Sequence, residues 1–233
     1  MRQILLDTET TGLDPKLGHR VIELAAVEMV NRRFSGRRFH RYLNPERASD
    51  VGALQVHGLT DEFLRDKPKF REVAAEFLEF VGGAELVIHN APFDVAFLNH
   101  EFALIDLQPI AHYCPHITDT LKLAKELHPG KRNNLDSLCE RYQIDNSKRT
   151  LHGALLDAEL LGEVYLAMTR GQESLLMEVA AAPRQDEVVA VLPEVQGELR
   201  VIAADEAELA AHATVLEEID KASKGRCLWK ARS

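Results

Sequence analysis

The first 170 residues alternate between the hydrophobic patterns of strands and those of helices. Short apolar runs or strict alternation predict strands at Gln3–Asp7, Val21–Val30, Arg38–Leu43 and Glu85–His89. Apolar residues three and four positions apart predict helices at Lys69–Val81, from Pro92 onward, and at Thr118–Leu127, Leu135–Tyr142 and Ala154–Met168. Early strands followed by mixed elements indicate an α/β fold in which helices cover a central mixed sheet.

The pattern changes after Gly171. Residues 178–197 combine alanine, proline, valine and acids without a helical period, which predicts a linker, and a short strand-like piece follows at Leu199–Ala203. Asp205–Lys221 then carries one apolar stripe at helical spacing, which a single helix cannot bury by itself. We therefore expect a domain at residues 1–170, a linker at 171–197 and a C-terminal segment at 198–233 that docks on a partner or on the main domain.

Composition is that of an ordinary globular protein, with 45% hydrophobic and 28% charged residues among 233. No run approaches the roughly 20 apolar residues that cross a bilayer, and Asp7 interrupts the apolar N-terminus, so no secretory signal is expected. The sequence thus predicts a cytoplasmic protein with no membrane partner. Its cysteines, Cys114, Cys139 and Cys227, lack the spacing of disulfide frameworks and zinc sites, and buried free thiols are expected.

The net charge of −9 is unusual for a protein that grips long duplex DNA unaided. Residues 1–170 carry −4 of that charge and include the basic pairs Lys131–Arg132 and Lys148–Arg149. Such a distribution is compatible with a protein that acts on a strand end, or that receives nucleic acid from a partner.

Two carboxylates follow the first predicted strand. Because strand side chains alternate between faces, Asp7 and Glu9 share one face, with their backbones about 6–7 Å apart, and both can reach one metal ion. The pair alone is also typical of a solvated turn.

Asp157 and Asp94 lie on the apolar faces of two predicted helices. An unpaired carboxylate on such a face costs several kcal/mol, so Asp157 needs either a cation or a buried salt bridge. Asp94 lies in the first turn of its helix, where an acid also suits the helix dipole. Together with the acids of the first strand, however, carboxylates from separate elements point inward, and a core does not tolerate such a cluster without cations.

Clusters of carboxylate oxygens suit hard divalent ions, Mg²⁺ or Mn²⁺, rather than zinc. Two such ions about 3.5–4 Å apart hydrolyse phosphodiesters in many enzymes. His152 lies in the loop 148–153 before the helix of Asp157, where its imidazole could take the proton of an attacking water. The alternative is a purely structural histidine.

Three motifs in this order, DTETTG at 7–12, HNAPFD at 89–94 and HGALLDA at 152–158, resemble those of the DEDDh exonuclease family. Gly153 stands where the related DEDDy branch has tyrosine. The resemblance spans residues 1 to about 170, and it implies a ribonuclease H-like fold and 3′→5′ removal of nucleoside 5′-monophosphates from a DNA end.

The same resemblance assigns roles to individual residues. Asp7, Glu9 and Asp157 would bind two Mg²⁺ or Mn²⁺ ions, Asp94 would complete the metal site, and His152 would be the general base. His57 would contact the terminal nucleotide, although it could also be a structural histidine in the turn before a helix cap. The substrate-binding set would comprise Asp7, Glu9, Thr10, His57, Phe93 and Asp157.

Further segments resemble the proofreading exonuclease subunits of bacterial replicative DNA polymerases: EMVNRRF at 28–34, VHGLTDEFL at 56–64, PGKRNNLDSLC at 129–139 and CLW at 227–229. This implies a polymerase catalytic alpha subunit as partner of the C-terminal segment, a sliding clamp bound through residues 172–177, and a small theta-like subunit. The stretch at 172–177 has no aromatic residue, and a helix end is the alternative.

Two rival functions remain open at this point. A stand-alone DEDDh exonuclease acting on RNA 3′ ends or short oligonucleotides would have no use for the tail after residue 171. A non-catalytic scaffold with a nuclease fold would not need catalytic side chains, yet all five active-site positions (Asp7, Glu9, Asp94, His152 and Asp157) hold the residues that the chemistry requires.

Overall fold

The computed structural model describes residues 1–147, 149, 151–170, 204–223, 227 and 229. The chain divides into two compact units, Met1–Pro183 and Arg184–Ser233. The predicted linker, the segment at 172–177 and the strand-like piece at 199–203 lie outside the described residues.

A five-stranded mixed sheet forms the centre of the first unit, in the order β3-β2-β1-β4-β5. Antiparallel pairing joins β1 to β2 and β2 to β3, whereas β1–β4 and β4–β5 are parallel. The mixed sheet expected from the sequence is thus confirmed. The strands are β1 (Arg2–Thr10), β2 (Val21–Val30), β3 (Arg33–Tyr42), β4 (Glu85–Ile88) and β5 (Ile117–Asp119).

The helices follow the predicted periodicity in most places. The α-helices are α1 (Val51–His57), α2 (Asp61–Leu64), α3 (Phe70–Val81), α4 (Ala91–Ala103), α5 (Ile110–Tyr113), α6 (Thr120–Leu127), α7 (Leu135–Tyr142), α8 (Ala154–Met168) and α9 (Glu206–Ala222), and a 3₁₀ turn covers Pro15–Leu17. The short helices α1 and α5 were not predicted, because one or two turns are too short to show a hydrophobic period, whereas the helix cap expected after His57 is Thr60, which begins α2.

Three predicted boundaries are wrong by two residues or more, and several others by one residue. The first strand continues beyond Asp7 to Thr10, and β3 begins at Arg33 rather than Arg38, because pairing with β2 supplies partners along both segments. The predicted helix at Thr118–Leu127 begins only at Thr120, since the preceding residues pair with β4 as β5. Asp119 then caps α6 by accepting hydrogen bonds from two backbone N–H groups, which marks the transition from strand to helix.

Alternate residues of β1 enter two separate cores. Ile4 and Leu6 pack with residues of α3 and α4 on one face of the sheet. Leu5 packs with α7 and α8 on the other face. The carboxyl end of β1 therefore lies between two helical layers, and functional side chains can reach this end from both faces.

The three cysteines are free and buried, as predicted. No helix among the described residues is long and apolar enough to span a membrane.

In the second unit, α9 forms where an amphipathic helix was predicted. Asp205 caps its N-terminus in a reciprocal capping box with Glu208. The helix buries none of its residues, and Leu209 is 57% exposed. Its apolar stripe is therefore available to a partner.

Candidate active site

β1 presents Asp7 and Glu9 on the face that α8 covers, as strand alternation predicts. Leu5, two residues before Asp7, packs in the α8-side core. Glu9 is 9% exposed and pairs in register with Glu23 of β2. A register shift follows at Thr10, and such irregularities locally twist a strand where it meets a functional site.

Asp94 reaches the same end of β1 from the opposite layer. It lies in the first turn of α4, is 3% exposed, and its Oδ1 accepts a 2.7 Å hydrogen bond from the Thr8 hydroxyl. Because Thr8 lies between Asp7 and Glu9 in the strand, its side chain points to the α4 face and orients Asp94 beside them.

Asp157 comes from the first turn of α8 and is 4% exposed. Both of its oxygens accept from Arg149, with Nε–Oδ1 and Nη2–Oδ2 distances of 2.6 Å. The buried salt bridge that the sequence left open as an alternative is therefore present. It does not exclude metal binding, because among the described residues Asp7, Glu9 and Asp94 form no salt bridge with this guanidinium, which pairs with Asp157 and Asp136.

His152 lies in the loop before α8, as predicted. Its backbone N–H donates to the carbonyl of Val56, so α1 fixes the position of this loop. One ligand atom each of Glu9, His152 and Asp157 lie within 4.8 Å of one another. The His152 side chain remains 46% exposed, which leaves it accessible to water.

A cavity of 480 Å³, here called the His57 cavity, adjoins Glu9 and is lined by Thr8, Thr10, Gly12, His57 and Phe93 among others. His57 is buried, and its Nδ1 accepts from the backbone N–H of Leu59. The neutral ring then carries its hydrogen on Nε2, for which the described residues provide no hydrogen-bond partner. His57 lines the cavity while its Nε2 atom is itself buried, so this donor would bind a ligand after a movement of the ring toward the cavity.

Gly12 and His19 explain how the loop after β1 holds this cavity in place. A side chain at Gly12 would come within 2.3 Å of the His19 ring, so glycine is required there. His19 contacts the Thr11 hydroxyl at 3.1 Å, and the backbone N–H of Asp50 donates to the carbonyl of Thr11. These contacts fix the start of α1, the helix that ends at His57.

The carboxylates repel one another strongly. Burial, followed by the charges of Asp94, Glu9 and Asp157, raises the pKa of Asp7 well above its usual range. Burial and the charge of Asp157 raise the pKa of Glu9 to about 8, and burial raises that of Asp94 to about 7 despite the hydrogen bond from Thr8. At neutral pH these buried carboxyl groups therefore favour a bound cation, because its charge offsets their mutual repulsion.

The donor set fits divalent metal ions. Burial raises the pKa values of Asp7 and Glu9 of β1 and of Asp94 of α4, and Glu9 and Asp157 of α8 offer ligand atoms within 4.8 Å of each other, so binding a cation relieves the repulsion in this cluster. Hard ions such as Mg²⁺ and Mn²⁺ prefer these oxygen ligands.

We predict that chelator-treated protein loses stability as the pH rises from about 5 to about 8. The raised pKa values mean that the folded chain binds protons more tightly than the unfolded chain, so stability is greatest near the ordinary carboxyl pKa and falls toward the pKa of about 8 of Glu9. Melting temperature should fall by about 5 °C or more over this range, and added Mn²⁺ should restore it.

Glu9→Gln should flatten this pH dependence, whereas replacement of the exposed Glu79 by glutamine should leave it unchanged. A melting temperature that stays constant or rises with pH in chelator would contradict the prediction.

The structure places Asp7, Glu9, Asp94 and Asp157 close enough for their charges to interact, brings His152 to Glu9 and Asp157, and lines the cavity beside Glu9 with Thr10, His57 and Phe93. Asp7, His152 and Asp157 line a second cavity of 320 Å³, here called the Arg149 cavity, which also includes Arg149 and Asp136. The sequence did not identify roles for Thr8, Arg149 or Asp136. Alternation along β1 would have placed Thr8 on the Asp94 side, but nothing local indicates which carboxylates a loop arginine will meet.

Comparisons with known proteins agree with this geometry. The family model described as "Exonuclease", RNase_T, matches residues 4–165. DNA polymerase III subunit epsilon of Escherichia coli (strain K12) is 51% identical over 99% of this chain and 98% of its own length.

Two solved structures share the fold. Exonuclease X in complex with 5′ overhanging duplex DNA has a TM-score of 0.57 at 24% identity, covering 74% of this chain and 92% of the other. The nuclease domain of 3′hExo, a DEDDh family member bound to rAMP, has a TM-score of 0.62 at 18% identity, covering 73% and 92%. These likenesses confirm the ribonuclease H-like fold, and the family model and the epsilon relative show that this chain belongs to the exonuclease family and, within it, to the family of DNA polymerase III epsilon subunits.

Proposed function

We propose that this metal-dependent 3′→5′ exonuclease proofreads for a replicative DNA polymerase III, removing mismatched 3′-terminal nucleotides as nucleoside 5′-monophosphates. The proposal rests on how much of the chain resembles a DNA polymerase III epsilon subunit. The exonuclease match ends at residue 165, whereas the 51% identity to an epsilon subunit covers 99% of the chain and includes the tail.

Asp7, Glu9, Asp94 and Asp157 would hold two ions, Mg²⁺ or Mn²⁺. When bound, such ions lower the pKa of water and stabilise charge on the attacking and leaving oxygens. The protein's own contribution is orientation, because Thr8 fixes Asp94 and the register of β1 fixes Glu9.

His152 is proposed to accept the proton of the attacking water. It lies within 4.8 Å of the Glu9 and Asp157 ligand atoms and is open to solvent, so it can pass the proton onward. The backbone hydrogen bond to Val56 keeps the loop close to the site during this transfer.

The His57 cavity is proposed to receive the terminal nucleotide. His57 would donate from Nε2 to a sugar or base oxygen once its ring turns this buried atom toward the cavity, and Phe93 offers an aromatic surface for stacking. The Thr10 hydroxyl donates to the carbonyl of Gly12, so only its acceptor lone pairs remain for the ligand. A frayed end enters such a cavity more readily than a paired one, because a mismatch lowers the cost of unpairing.

With Mn²⁺ or Mg²⁺, we expect a 5′-labelled DNA strand to shorten one nucleotide at a time and to release nucleoside 5′-monophosphates. A primer with a mismatched 3′ end should be degraded faster than a matched one, and chelator should stop both reactions. Release of nucleoside 3′-monophosphates, or a preference for RNA of the same sequence, would contradict the proposed substrate.

We also propose that residues 198–233 bind the catalytic alpha subunit of the polymerase, with 171–197 as a linker to the exonuclease domain at 1–170. The exposed apolar stripe of α9 and the 71% exposed Trp229 support this role. Clamp binding through 172–177, a theta-like third subunit and a cytoplasmic location are part of the same proposal.

Leu209→Asp combined with Leu216→Asp should lower the affinity for the alpha subunit at least about tenfold, because a charge on the docking stripe of a helix is costly to desolvate. Ala207→Asp, on the opposite side of α9, is the matched control. Co-purification that is equally strong for both variants would overturn the assignment of α9, and nuclease activity should be the same in all of them.

A further inference from the structure

Arg149 contacts Asp157 and His152, and the proposed reaction needs both side chains free of this guanidinium. Its Nε and Nη2 donate to the two oxygens of Asp157 at 2.6 Å, and Nη2 also lies 2.8 Å from His152 Nδ1. Its Nη1 donates to Asp136 Oδ1 of α7 at 2.7 Å. The guanidinium is only 6% exposed, so these partners replace water around it.

The contact with His152 determines the state of that ring. A guanidinium has donors and no acceptor, so Nδ1 of His152 must be the acceptor in this pair. A neutral imidazole then carries its hydrogen on Nε2 and has no second lone pair to offer. While Arg149 holds Nδ1, His152 cannot take a proton from water.

The contact with Asp157 has a parallel effect. A bidentate guanidinium uses the carboxylate lone pairs of both oxygens. A divalent ion bound by Asp157 needs at least one of the same lone pairs. Arg149 and a metal ion are therefore competing partners of Asp157.

Asp136 gives the guanidinium another position. Its side chain is 45% exposed and already accepts from Nη1, so Arg149 can leave Asp157 without losing every charged partner. Asn146 also donates to the same Asp136 oxygen, at 3.2 Å, which holds that carboxylate at the mouth of the loop.

From these contacts we infer that Arg149 is a positioning residue that couples metal binding to release of the general base. When Asp157 exchanges the guanidinium for a divalent ion, Arg149 withdraws toward Asp136 and frees Nδ1 of His152 in the same movement. The base thus becomes available only at a site that holds metal. This inference rests on the metal and base assignments of the proposed function.

The opposite role would be an orienting one, in which Arg149 stays on Asp157 and helps it to bind metal. The two roles predict opposite signs for metal affinity when Arg149 is removed. If Arg149 competes with the metal ion for Asp157, removing Arg149 should tighten metal binding. If Arg149 orients Asp157 for the metal ion, removing it should weaken metal binding.

Calorimetric titration of the full chain with Mn²⁺ measures this sign. Arg149→Met should bind Mn²⁺ at least about tenfold more tightly than the wild type, which corresponds to about 1.4 kcal/mol. Arg132→Met removes an exposed positive charge two residues before Asn134, which lines the Arg149 cavity, and should change affinity by no more than about twofold. Equal or weaker binding by Arg149→Met would overturn the inference.

Asp136→Asn provides an independent variant with the opposite expectation. Without the Asp136 carboxylate as an alternative partner, Arg149 should remain paired with Asp157. Mn²⁺ should then bind at least about threefold more weakly than to the wild type. In the Arg149→Met background the same change should have little effect, since no guanidinium is left to compete. An equal effect of Asp136→Asn in both backgrounds would contradict the competition.

Nitrogen-15 NMR of the His152 ring tests the coupled step directly. In the wild type, Mg²⁺ should remove the signal of an Nδ1 that accepts a hydrogen bond from Arg149, whereas in Arg149→Met that signal should be absent already in chelator, because Nδ1 then faces only Asp157 Oδ2, 3.5 Å away. An Nδ1 signal in the wild type that Mg²⁺ leaves unchanged would overturn the coupling. If neither protein bound Mn²⁺ or Mg²⁺ at all, the proposed metal site would itself be wrong, which separates the two failures.

Discussion

Asp7→Asn is expected to lower kcat for release of 3′-terminal nucleotides by about a thousandfold or more. Metal ions in such sites contribute several kcal/mol of transition-state stabilisation, and each 1.4 kcal/mol or so changes a rate tenfold. Asp7 lies at the centre of the acid cluster, since the charges of Asp94, Glu9 and Asp157 all act on its pKa. Single-turnover kinetics on a 5′-labelled DNA strand measure the effect.

The same variant should melt at a higher temperature than the wild type in chelator, because an amide removes one of the repelling buried charges. Lost activity together with raised stability distinguishes a missing ligand from a damaged fold. Asp106→Asn is the matched control, since Asp106 is exposed and asparagine tolerates its backbone φ of 57° equally well. Retention of more than about a tenth of wild-type kcat by Asp7→Asn would overturn the assignment of Asp7.

His152→Gln is expected to lower kcat about a hundredfold to ten-thousandfold, the usual range for loss of a general base. Mn²⁺ affinity should change much less, because His152 is exposed and Asp7, Glu9, Asp94 and Asp157 remain. The measurement is kcat at saturating Mn²⁺, with affinity determined separately by calorimetry.

His116→Gln serves as the control for His152, because His116 is exposed and lies next to β5 at the opposite end of the sheet. Raising the pH should partly restore kcat of His152→Gln, because hydroxide can attack directly and needs no general base to remove a proton. A variant that loses metal affinity in proportion to kcat would instead show that His152 acts as a ligand.

Local periodicity was sufficient to identify the elements that carry the site. Strand alternation placed Asp7 and Glu9 on one face, and helical spacing placed Asp94 and Asp157 on buried faces, as the structure has them. These predictions succeed because the direction of a side chain depends on its neighbours within one or two turns or along one strand.

Local periodicity did not predict the strands that depend on pairing with residues distant in the sequence. β5 has only three residues and exists because β4 pairs with it, and β3 extends to Arg33 because β2 lies beside it. Short strands of this kind have too few residues to show a period, so their backbone hydrogen bonds decide their structure.

The identity of each carboxylate's partner likewise depends on the tertiary structure. Thr8 orients Asp94 across 86 residues of sequence, and Arg149 reaches both Asp157 of α8 and Asp136 of α7. A buried charge requires a partner, which the amino-acid pattern reveals, but the pattern does not name that partner. Only the packing of a loop against two helices decides that Arg149 shares Asp157 with the metal site, because this contact depends on three-dimensional proximity rather than on spacing along the chain.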